Sequence, residues 1–193
     1  MYRYSYWFTV ILAICFISCK PSATKPEEAT ATEEDGTYFS IKQFTQDQWN
    51  LYHGQPFGLQ KFVYLNGKVD SAYVSAYDLD WAPIFRVFFA TDISDKKFLG
   101  KYDFSKFADD ATMTHNFYYE ANDPNMFTRK LQISANDENG KVKSIYIETQ
   151  KKGRWSGRSQ KLFYMPRKVI SIQEYEKTGP GTVKELRVEY RFL

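Results

Sequence analysis

VKELRVEYRF, residues 183–192, decides the fold class: Leu186, Val188, Tyr190 and Phe192 fall on one side, Glu185, Arg187, Glu189 and Arg191 on the other. Successive side chains of an extended chain point to opposite faces. This is therefore a strand with one dry and one wet face, the pattern of an antiparallel sheet covered on one side only. Moving back along the chain, KVISIQEY (168–175), RSQKLFYM (158–165), KVKSIYIETQ (141–150), FTRKLQISA (127–135), TMTHNFYYEA (112–121) and FLGKYDF (98–104) also read as strands. Asn139-Gly140 marks a hairpin between two of them. LQKFVYL-NG-KVDSAYVS (59–75) is a second hairpin, its Asn66-Gly67 suited to a type I′ turn. Aromatic residues make up 18% of the chain, a composition that favours strands. No repeat at a solenoid period is present.

Two helices interrupt this series. The first spans about 41–53. Either Thr45 and Gln48 form a capping box with Phe44 and Trp49 as hydrophobic staple, or Ser40 caps a longer helix that buries Ile41 and Phe44. Gly54 and Pro56 end it in both cases. The second runs from Trp81 to Thr91 with Asp80 as N-cap and Pro83 in the first turn, where proline is tolerated. Its Trp81, Ile84, Phe85 and Phe88 recur at helical spacing and make one strongly apolar face. The expected fold is α+β: eight or nine antiparallel strands in a curled, half-barrel-like sheet packed on two short helices. A closed barrel would leave the apolar helix face outside.

The N-terminus carries a different message. Residues 1–6 hold one positive charge, Arg3, and no acid. Trp7 to Ile17 is an apolar run, too short for the roughly 20 residues that span a bilayer and suited to the hydrophobic region of a signal peptide. It ends in Phe16-Ile17-Ser18-Cys19, which resembles the lipobox of bacterial lipoproteins, with Phe16 where leucine is common. The resemblance implies cleavage before Cys19 and lipidation of that residue. Cys15 would leave with the signal, so the mature chain would form no disulfide and no thiolate metal site. Residues 20–36 contain no large apolar residue and read as a flexible tether. The division is therefore 1–18 signal peptide, 19–36 lipidated cysteine and tether, 37–193 one β-rich domain. Lys20 stands where inner-membrane retention signals carry aspartate, so the resemblance to lipoproteins implies an outer-membrane anchor. Lys25-Pro26-Glu27-Glu28 loosely resembles a surface-export stretch, and reads more readily as a solvated spacer.

A modest net charge of +3 conceals an asymmetry: residues 151–193 hold eleven basic and four acidic groups. The stretch Lys151-Lys152-Gly153-Arg154-Trp155-Ser156-Gly157-Arg158, continuing to Lys161, sets an aromatic among five cations. Read as a long hairpin loop, it would place Trp155 at a membrane interface with Lys151, Lys152, Arg154 and Arg158 on anionic head groups. The same cations suit a phosphorylated glycan, or a solvated loop with Trp155 folded on its own sheet. Nucleic acid does not fit this compartment.

Two resemblances follow. YFSIKQF, a hairpin, DLDWAPIFRVFFATDIS and GKYDF together resemble an uncharacterised family of exported bacterial lipoproteins, covering most of residues 38–193 and implying no activity. The anchor, length and element order look like the half-barrel lipoprotein carriers LolA and LolB, in which an apolar cavity between sheet and helices holds acyl chains. By that analogy Trp81, Ile84, Phe85 and Phe88 would line a cavity.

Sites of chemistry are sparse. His115 shares a strand face with Met113, Phe117 and Tyr119, and His53 ends the first helix; neither sits in a metal-ligand spacing, and no metal or cofactor is expected. No G-x-S-x-G elbow occurs. Asp109-Asp110 reads as a solvated turn, and Asp92 and Asp95 as backbone caps. The leading expectation is a non-enzymatic, membrane-anchored protein binding lipid or an acylated partner. The alternative is an interaction module of an envelope or surface complex with a packed core, and a hydrolase with unrecognised residues ranks third.

Overall fold

In the computed structural model, residues 37–193 are described, except Trp155 and Pro180. The signal, Cys19 and tether assigned from the sequence lie outside the described residues. Helix α1 spans Ile41–Tyr52 and is capped by Ser40, whose hydroxyl accepts from the Gln43 amide. Thr45 is therefore an interior residue, buried with its hydroxyl donating to the Ile41 carbonyl, and the capping-box alternative falls. Beyond the helix Gly54 adopts φ +74°.

Strands β1 (Gly58–Leu65) and β2 (Lys68–Ser75) follow, joined by Asn66 at φ 48° and Gly67 at φ 83°. Both values are positive, as a type I′ turn requires. Helix α2 (Trp81–Phe89) is capped by Asp80, which accepts from the Ala82 amide. A short 3-10 turn, Lys96–Phe98, leads to β3 (Tyr102–Asp109), β4 (Thr114–Ala121), β5 (Thr128–Asn136), β6 (Val142–Lys152), β7 (Ser156–Met165), β8 (Val169–Thr178) and β9 (Thr182–Phe192). The strand expected at 98–104 starts four residues later. Asp95 caps the 3-10 turn through the Lys97 amide, and Gly100 at φ +73° breaks the extended chain before Tyr102.

The nine strands form one antiparallel sheet in the order β2-β1-β9-β8-β7-β6-β5-β4-β3. The sheet is an open meander except that β1 pairs with β9, so the β1–β2 hairpin closes one flank. The segment containing α2 must then travel from one edge of the sheet to the other before β3 begins. It crosses the face that carries Leu59, Leu131, Ile133, Ile145, Ile147, Leu162, Tyr164 and Ile170, all nearly inaccessible.

Tyr164 is the meeting point. Its ring lies 5.5 Å from Phe44 of α1 and 6.0 Å from Phe88 of α2, and its hydroxyl donates to Gln48 Oε1 at 2.8 Å. Helices of 12 and 9 residues are about 18 and 14 Å long, whereas nine strands span about 38 Å. The two helices cannot cover the whole face. The helices and strands described between residues 37 and 193 share one core.

Candidate functional site

The apolar face of α2 is spent on the core. Trp81, Ile84, Phe85 and Phe88 are each at most 6% exposed. Trp81 stacks on Tyr52 and Phe85, and its indole N–H donates to the Ala76 carbonyl at 2.8 Å. Of these four residues Phe85 reaches a groove of about 210 Å³ between the helices, which Gln46, Trp49, Ala82, Arg86 and Phe89 also line.

On the same sheet face, register runs the core outward. Leu162 pairs with Ile172, Ile172 with Val188, and Val188 with Val63. Paired residues of neighbouring strands share a face, so these four make one apolar rung. Leu162 is fully buried, while Ile172, Val188 and Val63 are half-buried. The next rung holds Gln160, Glu174, Leu186 and Leu65, the last 42% exposed. The rung after that holds Lys151, Arg158, Glu176 and Lys184. Within two rungs the face changes from apolar to cationic.

The basic stretch differs from the loop expected of it. Lys151 and Lys152 belong to β6 and Arg158 to β7, so only residues 153–155 connect the strands, with the Gly153 amide donating to the Ser156 carbonyl. Long strands here result from alternation that persists through the charged residues. Trp155 lies outside the described residues.

The cations separate by face. Lys151 and Arg158 are cross-strand partners on the helix face, and Arg158 is bound to Glu174 at 2.6 Å, which also accepts from Gln160. Lys152 lies on the opposite face in a rung with Gly157 and Lys177. Around that rung Lys152, Gly153, Arg154, Ser156, Gly157, Lys177 and Gly179 line a notch of about 430 Å³. Sequence reading missed Lys177. The alternation of residues 169–178 puts it on the wet face, but only the β7–β8 register sets it beside Lys152.

The remaining candidates have local partners. His115 is half-buried, with Nδ1 2.7 Å from Asp137 Oδ1. Its strand neighbours Phe117 and Tyr119 are buried on the core face, whereas Met113, at φ 50°, precedes the strand and is exposed. His53 is the C-cap of α1, its ring 5.0 Å from Trp49. Asp109 ends β3 and accepts from the Ala111 and Thr112 amides and the Thr112 hydroxyl, which holds its carboxyl below the usual range, the Thr112 hydroxyl first. Asp95 is likewise lowered, chiefly by the Lys97 amide. Asp92 accepts from Ser40 Oγ and the Lys42 amide at the start of α1, and from Ser94. Among the described residues no three His, Cys, Asp or Glu side chains are grouped to hold a metal ion, and no helix is long and apolar enough to cross a membrane.

Comparison with family models, with curated proteins and with solved structures gave no match to this chain.

Proposed function

We propose that the domain is a non-catalytic binding protein, tethered through Cys19 to the outer membrane, that receives an acyl chain or acylated partner on the uncovered part of its helix face. The observation that carries this reading is the rung Leu162–Ile172–Val188–Val63, which leaves the core half-exposed, ends across from Asp70 on β2, and lies two rungs from Lys151, Arg158 and Lys184. An acyl chain gains about 0.8 kcal/mol per buried methylene, so an apolar strip with Lys151 and Lys184 two rungs away suits an amphipathic anion. A sheet curled in half-barrel fashion would deepen the strip into a trough. The basic hairpin end, with Lys151, Lys152, Arg154 and Arg158, would face the membrane, each cation near an anionic surface contributing ~1 kcal/mol.

A second reading, an interaction module of an envelope or surface complex, is favoured by the close packing of Trp81, Ile84, Phe85 and Phe88. The test is native purification of residues 37–193, mass spectrometry of whatever co-purifies, and titration with a fluorescent fatty acid. Stoichiometric lipid, or fatty-acid binding that Val188→Asp weakens about tenfold or more, supports the acyl reading. A clean domain that ignores fatty acids would remove it in favour of the interaction module.

A further inference from the structure

The notch on the opposite face has a composition that apolar binding does not use. Lys152, Gly157 and Lys177 occupy one rung across β6, β7 and β8, and both lysines are exposed. Cα atoms of directly paired residues lie about 4.5–5.5 Å apart, so the two lysines stand about 10 Å from each other. Each has a flexible four-carbon stem that covers half of that gap. Between them is a glycine, where any other residue would project a side chain.

That glycine is not there for packing. A Cβ added at Gly157 would meet only the Lys151 carbonyl oxygen, at 3.9 Å. Gly157 therefore leaves space that packing does not require. Gly153 is different: a Cβ there would lie 3.0 Å from the Ser156 carbonyl oxygen, so the tight turn crowds a side chain at that position. Arg154 and Ser156 complete the lining from the β6–β7 connection and Gly179 from the β8–β9 connection; no acidic side chain takes part. Glu174 and Glu176, the nearest carboxylates on β8, are placed by alternation on the helix face and oppose Gln160 and Arg158.

The geometry points to a binding site for a phosphate group, held between Lys152 and Lys177 over Gly157, with Arg154 and the Ser156 hydroxyl alongside. Two lysines within reach of one tetrahedral anion, with a hydroxyl donor and no carboxylate among the described lining residues, match a phosphate mono- or diester. The site lies on the other face from the apolar strip and stands whether or not that strip binds lipid.

The test uses residues 37–193 labelled with nitrogen-15 and titrated with inorganic phosphate against chloride at matched ionic strength, since exposed charges respond to salt alone. Phosphate is expected to shift the Gly153, Gly157 and Gly179 amides saturably. Lys152→Gln/Lys177→Gln should weaken this about tenfold or more, and the control Lys168→Gln, in the turn at the other end of the sheet, should not. Gly157→Val fills the notch without altering charge, and valine suits a strand; it should abolish binding in a domain that unfolds no more easily. Vesicles of phosphatidylglycerol in phosphatidylcholine, against phosphatidylcholine alone, identify the source. Vesicle binding lost in both variants makes the ligand a lipid head group, and phosphate binding with no such vesicle effect makes it a soluble phosphorylated compound. Shifts that chloride reproduces, or phosphate binding that survives Gly157→Val, would overturn the site. Failure of fatty-acid binding with these amide shifts intact would sink the acyl reading alone.

Discussion

Gln48 offers two polar atoms to the core and one of them is matched. Its Oε1 accepts from Tyr164, while Nε2 meets no partner among the described residues, in a side chain 1% exposed. Gln48→Leu removes the orphan but takes the acceptor from a buried phenol, a loss of about 1–3 kcal/mol. Tyr164→Phe creates the complementary fault. The double variant Gln48→Leu/Tyr164→Phe should cost less than either single one, because both polar partners leave together. Urea unfolding of the four proteins checks this; additive losses would mean that the pair is not coupled. Asp92 acts at the same scale, since one carboxylate ties the start of α1 to the chain beyond α2. Asp92→Ala should lower stability by about 1–2 kcal/mol, with the loss of amide protection concentrated in residues 40–44.

At the scale of elements, both helices depend on one strand. Phe44, Phe85 and Phe88 converge on Tyr164, with ring separations of 5.5, 6.3 and 6.0 Å. Phe88→Ala should therefore cost about 3–5 kcal/mol, and circular dichroism should lose the helices and the sheet in one transition. An α-helical signal that disappears before the sheet would contradict a shared core. Much of this level was legible in the sequence, because the period-two alternation of 183–192 and the 3.6-residue period of 81–88 record which side of each element is dry. Asn66-Gly67 was legible for the same reason, as few residues accept positive φ twice. The β1–β9 pairing was not, since it joins residues more than 120 positions apart and leaves no local trace. Nor was the extent of β6 and β7: charge and glycine imply a loop, and only pairing across to Lys177 carries the ladder through Gly157. The register thus regroups the cationic candidates, with Arg158 on the opposite face and Lys177 added.

For the whole molecule, the ionisable groups set opposite limits in pH. Asp95 and Asp109 titrate below their ordinary value when folded, so what they contribute is present above about pH 4 and is lost as pH falls through their folded values. They are surface groups, and the acid limit they impose is shallow. The alkaline side is steeper. Burial pushes Tyr102 up to about 12 and also raises Tyr190. Tyr146 is raised by burial and by donating its proton to the Glu148 carboxylate at 2.6 Å. A raised pKa means that the fold favours the neutral phenol, so this stability is complete below the unfolded value near 10 and is lost as pH rises through the folded values. Tyr102 matters most, because its hydroxyl donates to the Thr128 carbonyl and its own carbonyl accepts from Tyr38, tying edge strand β3 to β5 and to the chain before α1. The urea midpoint should stay nearly level from pH 6 to 9 and fall between about 10 and 12. Tyr102→Phe should begin lower at pH 7, by about 1 kcal/mol for the lost hydrogen bond, and then decline less between pH 10 and 12, so that the two curves converge. Parallel curves would show that Tyr102 is as ionisable in the folded chain as in the unfolded one, and that the edge of the sheet is open to water where the structure closes it.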